Sequence, residues 1–387
     1  MARIRALVTP AILKWARETA GYEIVEIAHK LRMPPERILS WERGDARPTL
    51  RQAEKLANVY KRPLASFYLP SPPPTIKPPP DYRSPSTAQI GLTPQMRYEL
   101  RRARYRRRVA LELSQELGEE PTPFGLSATL SEPPDRLGHR LRSALGMSVA
   151  KQRKWRDPRQ AFQAWTAALE DLGVLVFQTT GGRYGVSPEE MRGAAIHETV
   201  LPVILIVGRD AWAAKVFTLM HELTHLCLET SSICDWAEDR QIEIFCNMVA
   251  GATLVPTSDL LIRYSSVTSG NREPTDQEIE TLEHEYSVSR EVIVRRLQIL
   301  NRVSVQFYSQ KRAQYQREFE RRKAEKTGGG GFLSWRQMIL RSNGRRYSAL
   351  VLDAYYQGSI TLTNVSRHLD MNLRYFDWFE EQILAGR

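Results

Sequence analysis

The sequence has little cysteine: Cys227, Cys234 and Cys246 are the only three among 387 residues. Three thiols cannot frame a chain this long, which excludes a disulfide-stapled scaffold and fits a reducing compartment. Long apolar runs are also missing. The longest, Val200 to Gly208, is interrupted by Pro202 and falls far short of the ~20 residues of a membrane span. The short apolar patch at the N-terminus gives way to Lys14, Arg17 and Glu18, so it reads as no secretory signal, and a cytoplasmic protein is expected. Acidic residues are scarce in one region only. Residues 1–110 hold 22 Lys+Arg against 9 Asp+Glu, whereas the remaining 277 hold 33 against 35. The net charge of +11 therefore originates in the N-terminal third, and a nucleic-acid or other polyanionic partner is expected there.

What is present divides into several segments, and a chain of this length is expected to hold two to four domains. Residues 1–68 show apolar positions at helical spacing (Ile12, Trp15, Ala16, then Ile24, Ile27, Ala28, Leu31) and read as four or five short helices. Residues 69–92 are proline-rich, a stiff spacer or a surface strap. Residues 93–120 hold one long helix with seven arginines at 97, 101, 102, 104, 106, 107 and 108. After a break from Pro121 to Pro134 come a helix over Ala161–Leu172, strands over Val174–Gln178 and Pro202–Val207, and helices over Ala211–Leu228 and Trp236–Leu254. These belong to a unit expected to span 121–265. Thr275 and Glu278 have capping-box spacing at the start of a helical extension, 266–327, which ends in the glycine run 328–331. The tail, 332–387, reads as a small helical domain. Within it, residues 360–373 have the period of a second helix-turn-helix-like element, and its aromatic surroundings favour packing on protein.

The N-terminal segment carries Ala28, Trp41-Glu42-Arg43-Gly44 and Pro48, followed by Leu50, Ala53, Leu56 and Ala57. It resembles the XRE, phage-repressor class of helix-turn-helix. The resemblance puts Pro35–Arg43 in a major groove, with Arg37, Ser40 and Arg43 as DNA-contacting candidates. The sequence departs from that class at Pro34-Pro35-Glu36, where small polar residues are usual, and a module that docks a protein is the competing reading. The arginines at 97, 101, 104 and 108 fall on one helical stripe. Either Arg104 and Arg108 contact phosphates, or the stripe is a solvated or salt-bridged face.

The segment that carries chemistry is His221-Glu222-Leu-Thr-His225, flanked by Phe217, Leu219, Met220, Leu223 and Leu226. Two histidines four apart lie one turn from each other on a helix face, so both imidazoles can bind one Zn²⁺. Glu222 falls beside the metal, placed to take a proton from the water it acidifies. The next helix folds back and offers Glu243, eighteen residues after His225, as third ligand with the fourth position open. Glu238 and Asp239 stand about a turn earlier as ligand or supporting candidates. Asn247 is placed to orient the carboxylate or simply to pack. His197 is read as a transition-state donor or a locally satisfied strand histidine. The three cysteines are read as buried packing more than as thiolate ligands. The glycines at 181, 182 and 185 read as a turn, too loose for a phosphate loop.

With Gln241-Ile-Glu243-Ile-Phe-Cys-Asn247-Met-Val-Ala250, Leu254-Val-Pro256, Met191-Arg-Gly193 and the apolar strand at 202–207, the chain resembles the ImmA/IrrE family of zinc metallopeptidases. The helix-turn-helix, the proline strap with Asp81-Tyr82-Arg83 and the helix ending at Arg296-Leu297 fit the same pattern. Val249 departs from it, standing where the family more often has Phe. The resemblance implies His221, His225 and Glu243 as zinc ligands, Glu222 as general base, and a regulatory protein of repressor or antitoxin type as substrate. Such proteins belong to phage or mobile-element and stress-response settings. The expected fold is α+β and mostly helical: a five-helix N-terminal domain, a zincin-like metallopeptidase domain with a small sheet, and a helical C-terminal part. The other reading is a DNA-binding regulator whose peptidase fold serves as sensor or scaffold with little turnover.

Overall fold

The computed structural model describes residues 4–73, 92–180, 185–229, 236–268, 272–325 and 334–385, without the side chains of 236–239 and 323. The proline strap with Asp81-Tyr82-Arg83, the turn at 181–184, Cys234 and the glycine run lie outside these residues, as do the side chains of Glu238 and Asp239. Two compact units are present: residues 4–73 with 92–102, and residues 103–385.

The first unit is built from α1 (Pro10–Ala20), α2 (Ile24–Leu31), α3 (Pro35–Arg43), α4 (Leu50–Tyr60) and a 3₁₀ turn at Leu64–Tyr68, the five expected helices. Their ends follow local chemistry. Pro10 and Pro35 occupy first turns, where a missing N–H costs nothing. Thr49 and Gln52 close a capping box on α4. Gly21 ends α1 at φ 81, and a Cβ there would also meet Arg97 Cδ at 2.6 Å. Ile12, Trp41, Tyr60 and Phe67 are buried in the shared core. Arg17 of α1 grips Glu42 of α3 with two hydrogen bonds, 2.8 and 3.0 Å, both side chains under 10% exposed. Glu42 of the Trp41-Glu42 motif is thus half of an internal clamp, and Trp41 is core.

In the second unit, α6 (Pro134–Ala144), the short α7 (Val149–Gln152) and α8 (Pro158–Asp171) precede the sheet. The expected start of α8 at Ala161 moves to Pro158, because Asp157 caps the amides of Arg159 and Gln160. The sheet has order β1 (Leu175–Gln178), β3 (Val203–Ile206), β2 (Gly193–Ile196); β1 and β3 are parallel, β3 and β2 antiparallel. Strand β2 was not foreseen, since Gly-Ala-Ala-Ile has neither the alternation nor the bulk of a strand signal. Then follow α9 (Trp212–Cys227), α10 (Trp236–Leu254), α11 (Thr257–Val267), α12 (Asp276–Tyr286), α13 (Arg290–Ile299) and α14 (Val305–Glu325). The expected capping box holds at Thr275 and Glu278.

One core joins Leu141 of α6, Trp165 of α8, Leu219 and Leu223 of α9, Val249 of α10, Leu282 of α12 and Leu297 of α13. It runs without interruption across position 265, where the sequence suggests a boundary. The tail adds α15 (Trp335–Asn343), α16 (Arg345–Tyr356), α17 (Leu362–Leu369) and α18 (Phe376–Leu384). It docks on the sheet through Tyr347, edge-on to Phe177 at 5.8 Å, and through Glu170, which accepts from the amides of Arg345 and Arg346. The expected α+β, mostly helical architecture is what is found. Among the described residues no single helix is long and apolar enough to cross a membrane.

Candidate metal centre

The centre is assembled by two packed helices. Helix α9 is apolar on most of its circumference, with Val216, Leu219, Met220, Leu223 and Leu226 fully buried. Burial of those faces turns the remaining one, with His221 and His225, toward α10. The imidazole centroids are 4.8 Å apart and the two Nε2 atoms 3.1 Å apart. Glu243 of α10 completes the group. Its Oε1 lies 3.0 Å from His225 Nε2, and its Oε2 lies 3.4 Å from His221 Nε2. One ligand atom from each of the three residues lies within 4.8 Å of the others, close enough to share one ion with ~2.0–2.1 Å bonds. The donor set of two imidazoles and one carboxylate suits a divalent metal and leaves one position open. These three residues are the group among the described residues that could hold a metal ion.

Electrostatics prepare the ligands. Burial alone would raise the Glu243 carboxyl, but the hydrogen bonds and charges of His221 and His225 prevail and hold it at about 2, so it is ionised. His221 Nδ1 lies 3.2 Å from Asn247 Oδ1. An amide oxygen accepts only from a protonated Nδ1, which leaves Nε2 with its lone pair for a metal. Asn247 therefore orients an imidazole, where the sequence suggests the carboxylate. Burial pushes the Cys227 thiol up to about 12, so it is apolar packing at neutral pH, and Cys246 is likewise buried and free of disulfide.

Glu222 is 4% exposed and faces β2. A Cβ on Gly193 would lie 2.8 Å from Glu222 Oε1 and 2.5 Å from Thr218 Cγ2, so only glycine admits the strand this close. His197 is four residues further along, beyond the last β2 pair at Ile196.

Sequence reading missed what holds α10 in place. Its terminal carbonyls receive donors from three different elements. Arg142 of α6 donates to Thr253 O at 2.8 Å, Gln152 of α7 to Leu254 O at 3.0 Å, and Arg296 of α13 to Val255 O at 3.2 Å. Gly138 lets α6 approach, since a Cβ there would lie 2.8 Å from Thr253 N. No local motif announces partners more than 40 residues away.

The nucleic-acid candidates are distributed differently from the expectation. Arg37 and Arg43 of α3 are exposed, whereas Ser40 is half-buried and its hydroxyl donates to Arg37 O at 2.8 Å. Most arginines of α5 (Pro94–Glu116) turn onto the protein's own backbone. Arg97 donates to Leu92 O, and Arg101 to Thr19 O and Tyr60 O. Arg106 is buried and donates to Ser342 O, while Arg107 binds Val200 O and Leu201 O. Arg104 is half-buried, and burial lowers its pKa despite Glu198 nearby. Of the four stripe positions only Arg108 is exposed, beside Glu112 at 3.9 Å. Backbone carbonyls claimed the guanidiniums, which periodicity cannot foresee.

Comparison with known proteins adds the family. Residues 169–298, spanning the sheet, both metal-centre helices and α11–α13, match the Peptidase_M78 model, described as IrrE N-terminal-like domain. Residues 13–67 match the model described as Helix-turn-helix. No curated protein matches the chain. The chain therefore carries an IrrE N-terminal-like domain of the Peptidase_M78 family behind an N-terminal helix-turn-helix domain.

Proposed function

We propose that the chain is a zinc-dependent endopeptidase that cuts a regulatory protein of repressor or antitoxin type, and that its helix-turn-helix unit binds DNA. The observation that carries this reading is the convergence of His221, His225 and Glu243 with Glu222 buried on the same helix. A zinc ion held there would supply Lewis acidity toward a carbonyl and a water. His221 and His225 would hold it through Nε2, and the ionised Glu243 would add the negative charge. Glu222 takes the proton of the attacking water and passes it to the leaving amine. The apolar collar of Phe217, Leu219 and Leu223 keeps bulk water from the back of the site.

The test is Glu222→Gln. Cleavage of the cognate regulator, followed as a shortened band on co-expression, should fall ~10²–10⁴-fold while zinc content stays at one per chain. Unchanged cleavage would sink the mechanism. The second reading, a DNA-binding regulator with little turnover, is favoured by the exposed Arg37 and Arg43 on α3. It predicts sharp operator binding and no shortened band, with His221→Ala making no difference to either.

A further inference from the structure

Three cations crowd one indole near the start of α9, away from the metal centre. Lys215 Nζ lies 4.2 Å from the centroid of Trp212, the Arg341 guanidinium 5.0 Å and that of Arg159 6.0 Å. They come from three elements: Arg159 from α8, Lys215 from α9 and Arg341 from α15 of the C-terminal part. Lys215 is 1% exposed and satisfied from below, donating to Gly208 O at 2.6 Å and Gln178 Oε1 at 3.2 Å. The two guanidiniums are closer to solvent, Arg159 exposed and Arg341 half-buried. Among the described residues neither makes a hydrogen bond or an ion pair, although Arg341 is half-buried. Elsewhere in this unit the half-buried arginines Arg107 and Arg290 have carboxylate partners, Glu198 and Glu318.

Such an arrangement costs free energy as it stands. Burial and then Arg159 lower the pKa of Arg341; burial and then Arg341 lower that of Lys215 to about 8. Asp210 contributes one opposing carboxylate, with Oδ1 taken by the amide of Ala211 at 2.8 Å. The cluster is left with two unbalanced positive charges on rigid elements. Two planar guanidinium forks without carboxylate partners, beside a buried ammonium, are the donor chemistry that suits a tetrahedral dianion.

We infer that Arg159, Arg341 and the buried Lys215 around Trp212 form a binding site for a phosphate group, either free phosphate or the end of a small phosphomonoester. The ligand would bridge α15 to the helix that carries His221 and His225, so the site is available to a small-molecule signal. Nothing in this inference depends on peptidase activity, and the test reads binding alone.

The experiment is calorimetric titration of the full-length, zinc-loaded chain with inorganic phosphate at fixed ionic strength. One saturable site is expected. Arg159→Gln, a substitution at an exposed position, and Arg341→Gln should each weaken binding at least tenfold, and Arg341→Lys should weaken it less than Arg341→Gln. In phosphate-free buffer the Gln variants should melt no lower than the parent, because a repulsion is removed. Competition by glycerol phosphate assigns a phosphomonoester; phosphate binding without that competition assigns the free ion. Absence of saturable binding, or binding equally strong in both Gln variants as at a metal-bound phosphate, overturns the proposal.

Discussion

Asn247 shows how one residue acts through another. Its carboxamide lies against His221 Nδ1 and selects the tautomer that presents Nε2 to the metal position. Asn247→Ala should therefore lower zinc affinity ~10–100-fold, read by competition with a chromophoric chelator, while the unfolding transition of metal-free protein barely moves. An equal loss of apo stability would mean that Asn247 merely packs. At this scale much was legible. His-Glu-x-x-His and a carboxylate eighteen residues on define donors whose spacing on helices is set by covalent geometry. The partner of Asn247 was not legible, because which of two neighbours it touches depends on how α9 and α10 are rotated against each other.

Elements are held by charged groups that the sequence shows only as charge. Arg17 and Glu42 lock α1 to α3 from side chains almost closed to water. Removing one partner strands the other, so Arg17→Ala should cost ~3–5 kcal/mol in urea unfolding of the N-terminal unit, with Arg17→Lys recovering only part. At the other end of the chain, Glu170 caps the amides of Arg345 and Arg346 at the start of α16. Gly344 at φ 67 allows the close approach, since a Cβ there would meet Val176 O. Burial raises the Glu170 carboxyl to about 7, with the two backbone hydrogen bonds opposing. A carboxyl whose folded pKa lies above its unfolded value favours the folded state below about 4.5 and loses that contribution as pH rises through about 7. Stability should therefore fall by as much as ~3 kcal/mol from pH 5 to pH 8, and Glu170→Gln should flatten the profile. A profile that keeps its slope in the Gln variant would remove Glu170 from the account.

For the molecule as a whole, the basic N-terminal third has to be divided between structure and partner. Arg97, Arg101, Arg106 and Arg107 are committed to carbonyls, so they contribute field but few free phosphate donors. DNA binding should accordingly be salt-dependent through α3. Arg37→Ala and Arg43→Ala should each reduce the slope of log affinity against log salt by about 1, measured by fluorescence anisotropy. Arg108→Ala should do less, and binding indifferent to salt and to both α3 arginines would take nucleic acid off the list of partners.

Periodicity, capping residues and motif spacing determined the helices, the candidate histidine pair and the mostly helical class, because each depends on neighbours within a turn or two. Helix α3, Pro35–Arg43, and α10 from Trp236 to Leu254 are where those local signals place them. Only the tertiary structure decided the rest. Strand β2 exists because β3 offers it a partner and Glu222 needs a glycine opposite. The arginine helix is internal because carbonyls of distant turns lay within reach of its guanidiniums. The cation cluster on Trp212 joins residues from positions 159, 215 and 341, and no local pattern can bring such residues together: their proximity follows from how the apolar faces of α8, α9 and α15 are buried, a property of the whole core.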